Sequence, residues 1–126
     1  MTQSVNKVLI VDDDYISLEV LRAMVQQYPV EVITAETGKE AVKLAVEQRP
    51  TLVLLDHELP DIDGIDVYCK IVADLGAEAP RAAMITGHQQ EDFAQRCTAA
   101  GIDTCLHKPV SPKQLADLLR IASDVK

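Results

Sequence analysis

The sequence predicts an α/β fold in which helices cover both faces of a five-stranded parallel sheet. Five short apolar runs, rich in β-branched residues, alternate with longer amphipathic stretches along the 126 residues. The apolar runs are continuous rather than interleaved with polar residues, a pattern typical of strands that are buried on both faces. No repeat, linker or low-complexity segment interrupts this order, so we expect a single domain spanning residues 1–126.

The first two strand–helix units are each predicted from an apolar run and the helix signals behind it. Strands are expected at residues 8–11 and 30–35, where apolar residues are consecutive. The first helix follows the aspartates after the first strand and continues to about Gln27. The second helix begins at Thr37 and Glu40, which have the spacing of a capping box, and it ends before the next proline.

The remaining three units repeat this order of signals. Polar residues at positions 103 and 104 interrupt the apolar run of the fifth strand. Glycine is favoured just after the end of a helix and proline at its first position, and both mark helix boundaries here. The predicted strands are residues 52–55, 82–85 and 102–106. The third predicted helix covers residues 65–75. The fourth contains Phe93 and Cys97 and ends at Gly101, and the fifth begins at Ser111.

Composition and charge argue against several functions. The formal net charge is −8, from 20 acidic and 12 basic residues, which argues against direct binding of nucleic acid. No apolar run approaches the roughly 18 residues of a membrane span, and no secretory signal begins the chain, so we expect a cytoplasmic protein. The three cysteines are odd in number and lack a CxxC spacing, which favours reduced thiols at core or boundary positions.

Polar residues follow four of the five predicted strands. Asp12 and Asp13 follow the first strand, Asp56 follows the third, Thr86 follows the fourth, and Lys108 lies near the end of the fifth. The carboxyl ends of parallel strands meet at one edge of such a sheet, which is where open α/β sheets bind ligands. Any one of these aspartates could be a solvated turn residue, and only their joint occurrence predicts a site.

This set of side chains predicts phosphoryl chemistry. Three close carboxylates repel one another unless a cation is present, and a hard divalent ion such as Mg²⁺ prefers oxygen ligands. Lys108 and the Thr86 hydroxyl are suited to hold phosphoryl oxygens. Phosphoryl transfer requires mainly positioning and charge neutralisation, and a central carboxylate can act as the nucleophile to form an aspartyl phosphate.

Four segments of the chain, in order, resemble the response-regulator receiver family of two-component signalling proteins. They are residues 8–14, with the acidic pair, residues 52–64, with Asp56, residues 84–87 and residues 108–110. The resemblance covers nearly the whole chain, and the four segments together are specific although each alone is modest. It implies a flavodoxin-like, doubly wound sheet with the strand order 2-1-3-4-5.

The resemblance also implies the roles of the acidic residues. Asp56 would be the phosphoacceptor and would also contact the metal. Asp13 would bind Mg²⁺, or Mn²⁺, directly, and Asp12 would bind it mostly through water. The backbone carbonyl of Glu58 would be a further metal ligand.

The resemblance implies three further features around the phosphoryl group. Thr86 and Lys108 would hold phosphoryl oxygens, and Gly87 would keep the site open. The bond between Lys108 and Pro109 would be cis, as is usual in the family.

The resemblance also implies partners. A phosphohistidine on a sensor histidine kinase or a phosphotransfer protein would be the donor. An output domain, a downstream protein or a second copy of the chain would read the face formed by the fourth helix, fifth strand and fifth helix. Such a protein is a signalling phosphoacceptor rather than an enzyme, although it assists its own phosphorylation and dephosphorylation. The identity of the kinase, the output and the oligomeric state stay open.

Four positions depart from, or add to, the family pattern. Cys105 stands where many receivers have an aromatic residue, which is either natural variation or a sign of a different readout. His88 either tunes the hydrolysis of the acyl phosphate or begins a helix. His57 and His107 are interpreted as structural or incidental, because no paired-histidine spacing supports metal binding.

Two alternative functions remain. The first is a degenerate receiver that acts only as an interaction or dimerisation module. The intact acidic residues, Thr86 and Lys108 argue against this alternative. Cys105, at the position of the usual aromatic residue, keeps it open. A phosphohydrolase of the haloacid-dehalogenase type would carry a second aspartate two residues after the nucleophile, where this chain has Glu58. Such an enzyme would also need a substrate cap, for which 126 residues leave no obvious room.

Overall fold

The computed structural model of the chain describes residues 7–87, 93–102, 104–107 and 110–123. Strands and helices alternate strictly along it, as the sequence predicts. A short 3₁₀ turn follows the third helix. The elements are β1 (Lys7–Val11), α1 (Tyr15–Val25), β2 (Glu31–Ala35), α2 (Gly38–Gln48), β3 (Leu52–Asp56), α3 (Gly64–Leu75), β4 (Arg81–Thr86), α4 (Phe93–Ala99), β5 (Thr104–His107) and α5 (Pro112–Ser123).

The five strands form one sheet in the order β2-β1-β3-β4-β5, and every neighbouring pair is parallel. This order confirms the doubly wound fold expected from the resemblance. The central strand β3 is buried along its whole length, as its continuous apolar run predicts. None of the helices within the described residues is both long and apolar enough to cross a membrane.

The core consists of two apolar layers, one on each face of the sheet. In β1, Leu9 and Val11 point into one layer and Val8 and Ile10 into the other, because successive strand side chains face opposite ways. Helices α2, α3 and α4 cover the first layer and helices α1 and α5 the second. Their buried contributions include Ala41, Ala45, Val67, Ile71 and Cys97 on the first face and Leu18, Leu21, Leu115 and Leu118 on the second.

Side chains cap the helix starts that the sequence marks. At the start of α5, the Gln114 backbone N–H donates to Ser111 Oγ at 3.1 Å, and the Ser111 N–H donates to Gln114 Oε1 at 3.0 Å. At the start of α2, the Glu40 N–H donates to Thr37 Oγ1 at 3.1 Å. The Glu40 carboxylate, however, accepts from the Glu36 N–H, so the predicted box is displaced by one residue.

The fifth strand differs from its predicted range of residues 102–106. Ile102 lies outside strand β5 (Thr104–His107), because it completes the end of α4. Gly101 has a φ of +87°, and the Ile102 backbone N–H donates to the Cys97 carbonyl at 2.8 Å. This bond closes the helix C-terminus in the manner of a Schellman motif, and it takes Ile102 out of the strand ladder.

A long-range cap joins α2 to the loop that follows β3. The carboxylate of Asp61 accepts from the backbone N–H groups of Gly38 at 2.8 Å and Lys39 at 2.9 Å. These two bonds, that to Gly38 most of all, lower the pKa of Asp61 below its ordinary value of 3.8. The charge also lies at the positive end of the helix dipole. Asp61 therefore fixes the position of this loop against α2.

We predict that Asp61→Ala lowers the midpoint of urea unfolding at neutral pH. A group whose folded pKa is depressed contributes stability above its unfolded pKa and loses it as pH falls through the folded pKa. The difference in urea midpoint between the unchanged chain and Asp61→Ala should therefore have its full size at pH 7 and become smaller below about pH 3.8. Asp74→Ala, on the exposed side of α3, is the matched control and should not lower the midpoint. A pH-independent difference would contradict this account.

Helix α3 passes so close to the end of β3 that its first residue has no room for a side chain. A Cβ added at Gly64 would lie 2.3 Å from the backbone carbonyl oxygen of Asp56. The Gly64 N–H also donates to the His57 carbonyl at 2.9 Å, which holds the two segments in contact. Glycine at this position thus lets α3 pack directly against the backbone of Asp56.

We predict that Gly64→Ala lowers the free energy of unfolding by about 1–3 kcal/mol, because backbone must move to accept the methyl group. Urea unfolding followed by circular dichroism measures this change. The control is Gly87→Ala, where an added Cβ meets no atom within 4 Å in the described part of the chain. Equal destabilisation by both variants would show that the contact with Asp56 is not the cause.

Candidate functional site

Three carboxylates converge at the carboxyl edge of the sheet. Asp12 and Asp13 directly follow β1, and Asp56 is the last residue of β3. Strands β1 and β3 are neighbours, and their register pairs Val11 with Leu55, so the next residues of both strands lie side by side. One oxygen from each of the three carboxylates lies within 4.8 Å of the other two.

The three aspartates differ in exposure. Asp12 is 1% exposed and Asp56 is 4% exposed, whereas Asp13 is at the surface. The Asp14 backbone N–H donates to Asp12 Oδ1 at 2.9 Å, which fixes the turn out of β1. Asp14 in turn caps α1, because its Oδ1 accepts from the Ile16 N–H at 3.1 Å. Two carboxylates thus form the base of the site and one forms its rim.

The donor set fits a hard divalent cation. All three side chains offer carboxylate oxygens, which Mg²⁺ and Mn²⁺ prefer, and no histidine or cysteine takes part. Their negative charges lie close together, and two of them are buried, so a cation bound among them would relieve their repulsion. The exposed Asp13 leaves one side open to water, which Mg²⁺ commonly retains as ligand.

Backbone contacts hold Asp56 and the residues after it in place. The His57 N–H donates to the Ile85 carbonyl of β4 at 2.9 Å. The Glu58 N–H points to Asp56 Oδ1 at 3.4 Å, a long hydrogen bond. Glu58 is exposed and forms an isolated bridge with Asp63 across the loop. The residue expected to supply a carbonyl ligand therefore lies in the turn directly beside Asp56.

Thr86 also lies at this edge. It is the last residue of β4, is 1% exposed, and pairs with His107 at the end of β5. The neighbouring residue of β4, Ile85, pairs with Asp56. Thr86 is therefore one position beyond the partner of Asp56. Three of the predicted features lie outside the described residues. They are Lys108, its peptide bond to Pro109, and His88.

A group of polar residues that joins the loop after Asp56 to α3 and α4 was not predicted from the sequence. His57 is buried, and its Nε2 lies 3.1 Å from Asp63 Oδ2. The same oxygen lies 3.3 Å from Nη2 of Arg96 on α4, and Asp63 Oδ1 accepts from the Ile65 N–H at 2.7 Å as the cap of α3. Asp63 therefore contacts the segment after β3, helix α3 and helix α4. An aspartate directly before a glycine that begins a helix signals the cap, but no local pattern signals the partners on other elements.

The cysteines divide between the core and the surface. Cys97 on α4 is fully buried in the first core layer, as expected. Cys69 on α3 and Cys105 on β5 are exposed, so the expectation of a core or boundary position is wrong for these two. The position usually held by an aromatic residue in receivers is thus a small, exposed thiol here.

Comparisons with known proteins agree with this geometry. Residues 8–120 match the model of the response regulator receiver domain. The chain is 34% identical over 109 residues to the alkaline phosphatase synthesis transcriptional regulatory protein PhoP of Bacillus subtilis, covering 86% of this chain and 45% of that protein. It is also 34% identical over 122 residues to the virulence sensor protein BvgS of Bordetella bronchiseptica, covering 93% of this chain and 10% of BvgS.

A solved structure gives the same result at the level of the fold. The response regulator receiver domain protein (CheY-like) from Methanospirillum hungatei JF-1 has a TM-score of 0.85 and 28% identity, covering 94% of this chain and 93% of that one. By contrast, the chain spans less than half of PhoP and a tenth of BvgS. On its strand order, its aspartate cluster and these matches, the chain belongs to the response regulator receiver domain family.

Proposed function

We propose that the chain accepts a phosphoryl group on Asp56 from a phosphohistidine of a sensor histidine kinase or phosphotransfer protein, in a Mg²⁺-dependent reaction. The family is one of signalling phosphoacceptor domains rather than of classical enzymes. The observation that carries the proposal is the convergence of Asp12, Asp13 and Asp56, whose oxygens lie within 4.8 Å of one another. The cytoplasmic location expected from the sequence is part of this proposal.

Four groups of this chain would hold the metal. They are the carboxylates of Asp12, Asp13 and Asp56 and the backbone carbonyl of Glu58. When bound, Mg²⁺ or Mn²⁺ would neutralise negative charge on the carboxylates and on the incoming phosphoryl group. Asp13 would bind the metal directly and Asp12 mostly through water, as the resemblance implies.

The chemical step at Asp56 is a phosphoryl transfer. One carboxylate oxygen of Asp56 forms a bond to phosphorus as the bond from phosphorus to the donor's imidazole nitrogen breaks. The Thr86 hydroxyl and the Lys108 ammonium group would hold phosphoryl oxygens. The packing of α3 on the Asp56 backbone keeps the nucleophile in one position, which is the main requirement for this reaction.

The donor would approach over α1. Helix α1 begins two residues after Asp13, and three of its apolar side chains are largely exposed, Tyr15 at 65%, Ile16 at 72% and Val20 at 54%. Large apolar side chains clustered at the surface commonly mark an interface. A protein that presents a phosphohistidine to Asp56 would contact this helix, because it borders the open side of the site.

Phosphorylation would be reported through β4 and β5. Thr86 ends β4 and pairs with the end of β5, so a change at its hydroxyl reaches the face formed by α4, β5 and α5. An output domain, a downstream protein or a second copy of the chain would read this face by binding one of its two conformations more tightly.

We predict that acetyl phosphate and Mg²⁺ add one phosphoryl group to the chain and that Asp56→Asn abolishes the addition, because the amide is not a nucleophile for this transfer. Intact-mass spectrometry at neutral pH measures the gain. Removing the metal with a chelator should also abolish it, and Asp13→Asn should need more Mg²⁺ to reach the same rate.

Asp74→Asn is the matched control and should be phosphorylated like the unchanged chain, because Asp74 lies away from the site on α3. A mass gain that persists in Asp56→Asn would overturn the assignment of Asp56. No gain, together with no response to Mg²⁺ and beryllofluoride, would favour the degenerate interaction module instead.

For Lys108→Ala we predict at least partial phosphorylation but loss of the conformational response. The nucleophile and the metal ligands stay in place in this variant, whereas the ammonium group that would bind a phosphoryl oxygen is removed. The measurement is the change in amide chemical shifts of β4 and β5 on adding Mg²⁺ and beryllofluoride. Lys113→Ala, exposed on α5, is the control and should respond fully. A full response in Lys108→Ala would show that the signal bypasses this lysine.

A further inference from the structure

Two cysteines face each other across the contact between α4 and β5. Cys97 lies on the inner side of α4, is 0% exposed, and belongs to the core layer that contains Met84. Cys105 pairs with Met84 in the register of β4 and β5. The next residue of β5, Leu106, packs into the opposite layer, so Cys105 points to the side of the sheet that α4 covers.

The two thiols are neighbours on this side of the sheet. Burial first, and the nearby Cys105 thiol second, raise the pKa of the Cys97 thiol to about 12. Cys97 is therefore a neutral, shielded thiol, whereas Cys105 is exposed to solvent and to reagents.

The geometry suits one covalent product. A disulfide requires the backbone to hold the two Cβ atoms about 3.5–4.5 Å apart, after which side-chain rotation brings the sulfurs together. Cys97 and Cys105 both lie on the side of the sheet that α4 covers, one on the helix and one on the strand beneath it. Cys69 on α3 is exposed as well, but the structure gives it no such neighbouring thiol within the described residues. Of the three cysteines, the pair at the α4–β5 contact is the one arranged for intramolecular oxidation.

We propose that Cys97 and Cys105 are a redox-active pair that a low-molecular-weight disulfide, such as glutathione disulfide, converts into an intramolecular disulfide between α4 and β5. In the first step, the Cys105 thiolate attacks the reagent, forms a mixed disulfide and releases one thiol. In the second step, the Cys97 thiolate attacks the Cys105 sulfur and releases the second thiol. Overall, the two protein thiols lose two protons and two electrons, and one disulfide reagent becomes two thiols.

The order of the two steps follows from exposure. Of the two thiols in the pair, Cys105 is exposed to a reagent as large as glutathione, and Cys97 is the buried neighbour that would resolve the mixed disulfide. The raised pKa of Cys97 makes the second step slow, but it does not decide the equilibrium, which depends on how well the fold holds the two sulfurs together. The disulfide and its formation do not require phosphorylation of Asp56.

The test uses the full chain with Cys69→Ser, so that only the pair can react. The protein is equilibrated in buffers of reduced and oxidised glutathione, quenched with acid and analysed by intact mass and peptide mapping. We expect a species that has lost two hydrogens, carries no glutathione and links the peptides of Cys97 and Cys105. Its equilibrium constant should exceed that in concentrated urea by roughly tenfold or more, because the fold holds the groups near each other.

Single substitutions separate the roles of the two thiols. Cys97→Ser should stop the reaction at a stable glutathione adduct on Cys105, and Cys105→Ser should leave Cys97 unreacted in the native protein. Circular dichroism and urea unfolding establish that each variant is folded. A native protein that gives only the mixed disulfide on Cys105, or an equilibrium constant no higher than in urea, would overturn the proposal.

An effect on signalling is a separate question that rests on the proposed function. A covalent link between α4 and β5 should reduce the change in hydrogen exchange of α4 that Mg²⁺ and beryllofluoride produce. If the disulfide forms and the oxidised and reduced proteins respond equally, the link has no role in the readout although the pair itself stands. If neither form responds, the proposed phosphorylation switch fails and the redox pair is unaffected.

Discussion

The structure depends on holding three negative charges together at the end of two neighbouring strands. Two unit charges 4.8 Å apart repel by about 3.5 kcal/mol at an effective dielectric constant of roughly 20. The pairing of β1 with β3 leaves Asp12 and Asp56 no freedom to separate, because both directly extend buried strands. The two apolar layers on either face of the sheet supply the stability that makes this arrangement tolerable. The cluster is therefore a place where a bound cation would relieve repulsion and so change the energy of the fold.

The loop after Asp56 is held from three sides. Asp61 binds the start of α2, Asp63 caps α3, and the Gly64 backbone lies against that of Asp56. Asp63 also reaches Arg96 on α4, but both side chains are about a third exposed, so this ion pair contributes little energy. The loop is thus joined to α2 and α3 by backbone hydrogen bonds and close packing, and to α4 by a partly exposed ion pair.

Much of the fold and of the site could be predicted from the sequence, because both depend on local patterns. Continuous apolar runs predict β3 and its neighbours, and a parallel sheet then brings Asp12, Asp13 and Asp56 to one edge without further information. The strand order needed the family resemblance, since the residues alone left several topologies open.

What could not be predicted involves contacts between distant segments. The Ile102 N–H completes the end of α4 instead of beginning β5, and Asp61 caps a helix 23 residues earlier in the chain. The contacts of His57 and Arg96 with Asp63 arise in the same way, from packing that no local pattern encodes. The placement of Cys97 and Cys105 on the same side of the sheet also depends on this packing. The position of Lys108 stays a prediction from the sequence.

The α4–β5 region differs physically from the rest of the sheet. Strand β5 lies at the edge, and its side chains alternate between half-buried and exposed, whereas those of β3 are all buried. Among residues 95–99 of α4, whose burial is described, Cys97 is the one buried side chain. Elements with few buried contacts open at the lowest free-energy cost. The exposed thiol of Cys105, where many receivers have an aromatic side chain, buries less apolar surface than an aromatic ring could, so β5 offers α4 fewer apolar contacts to pack against.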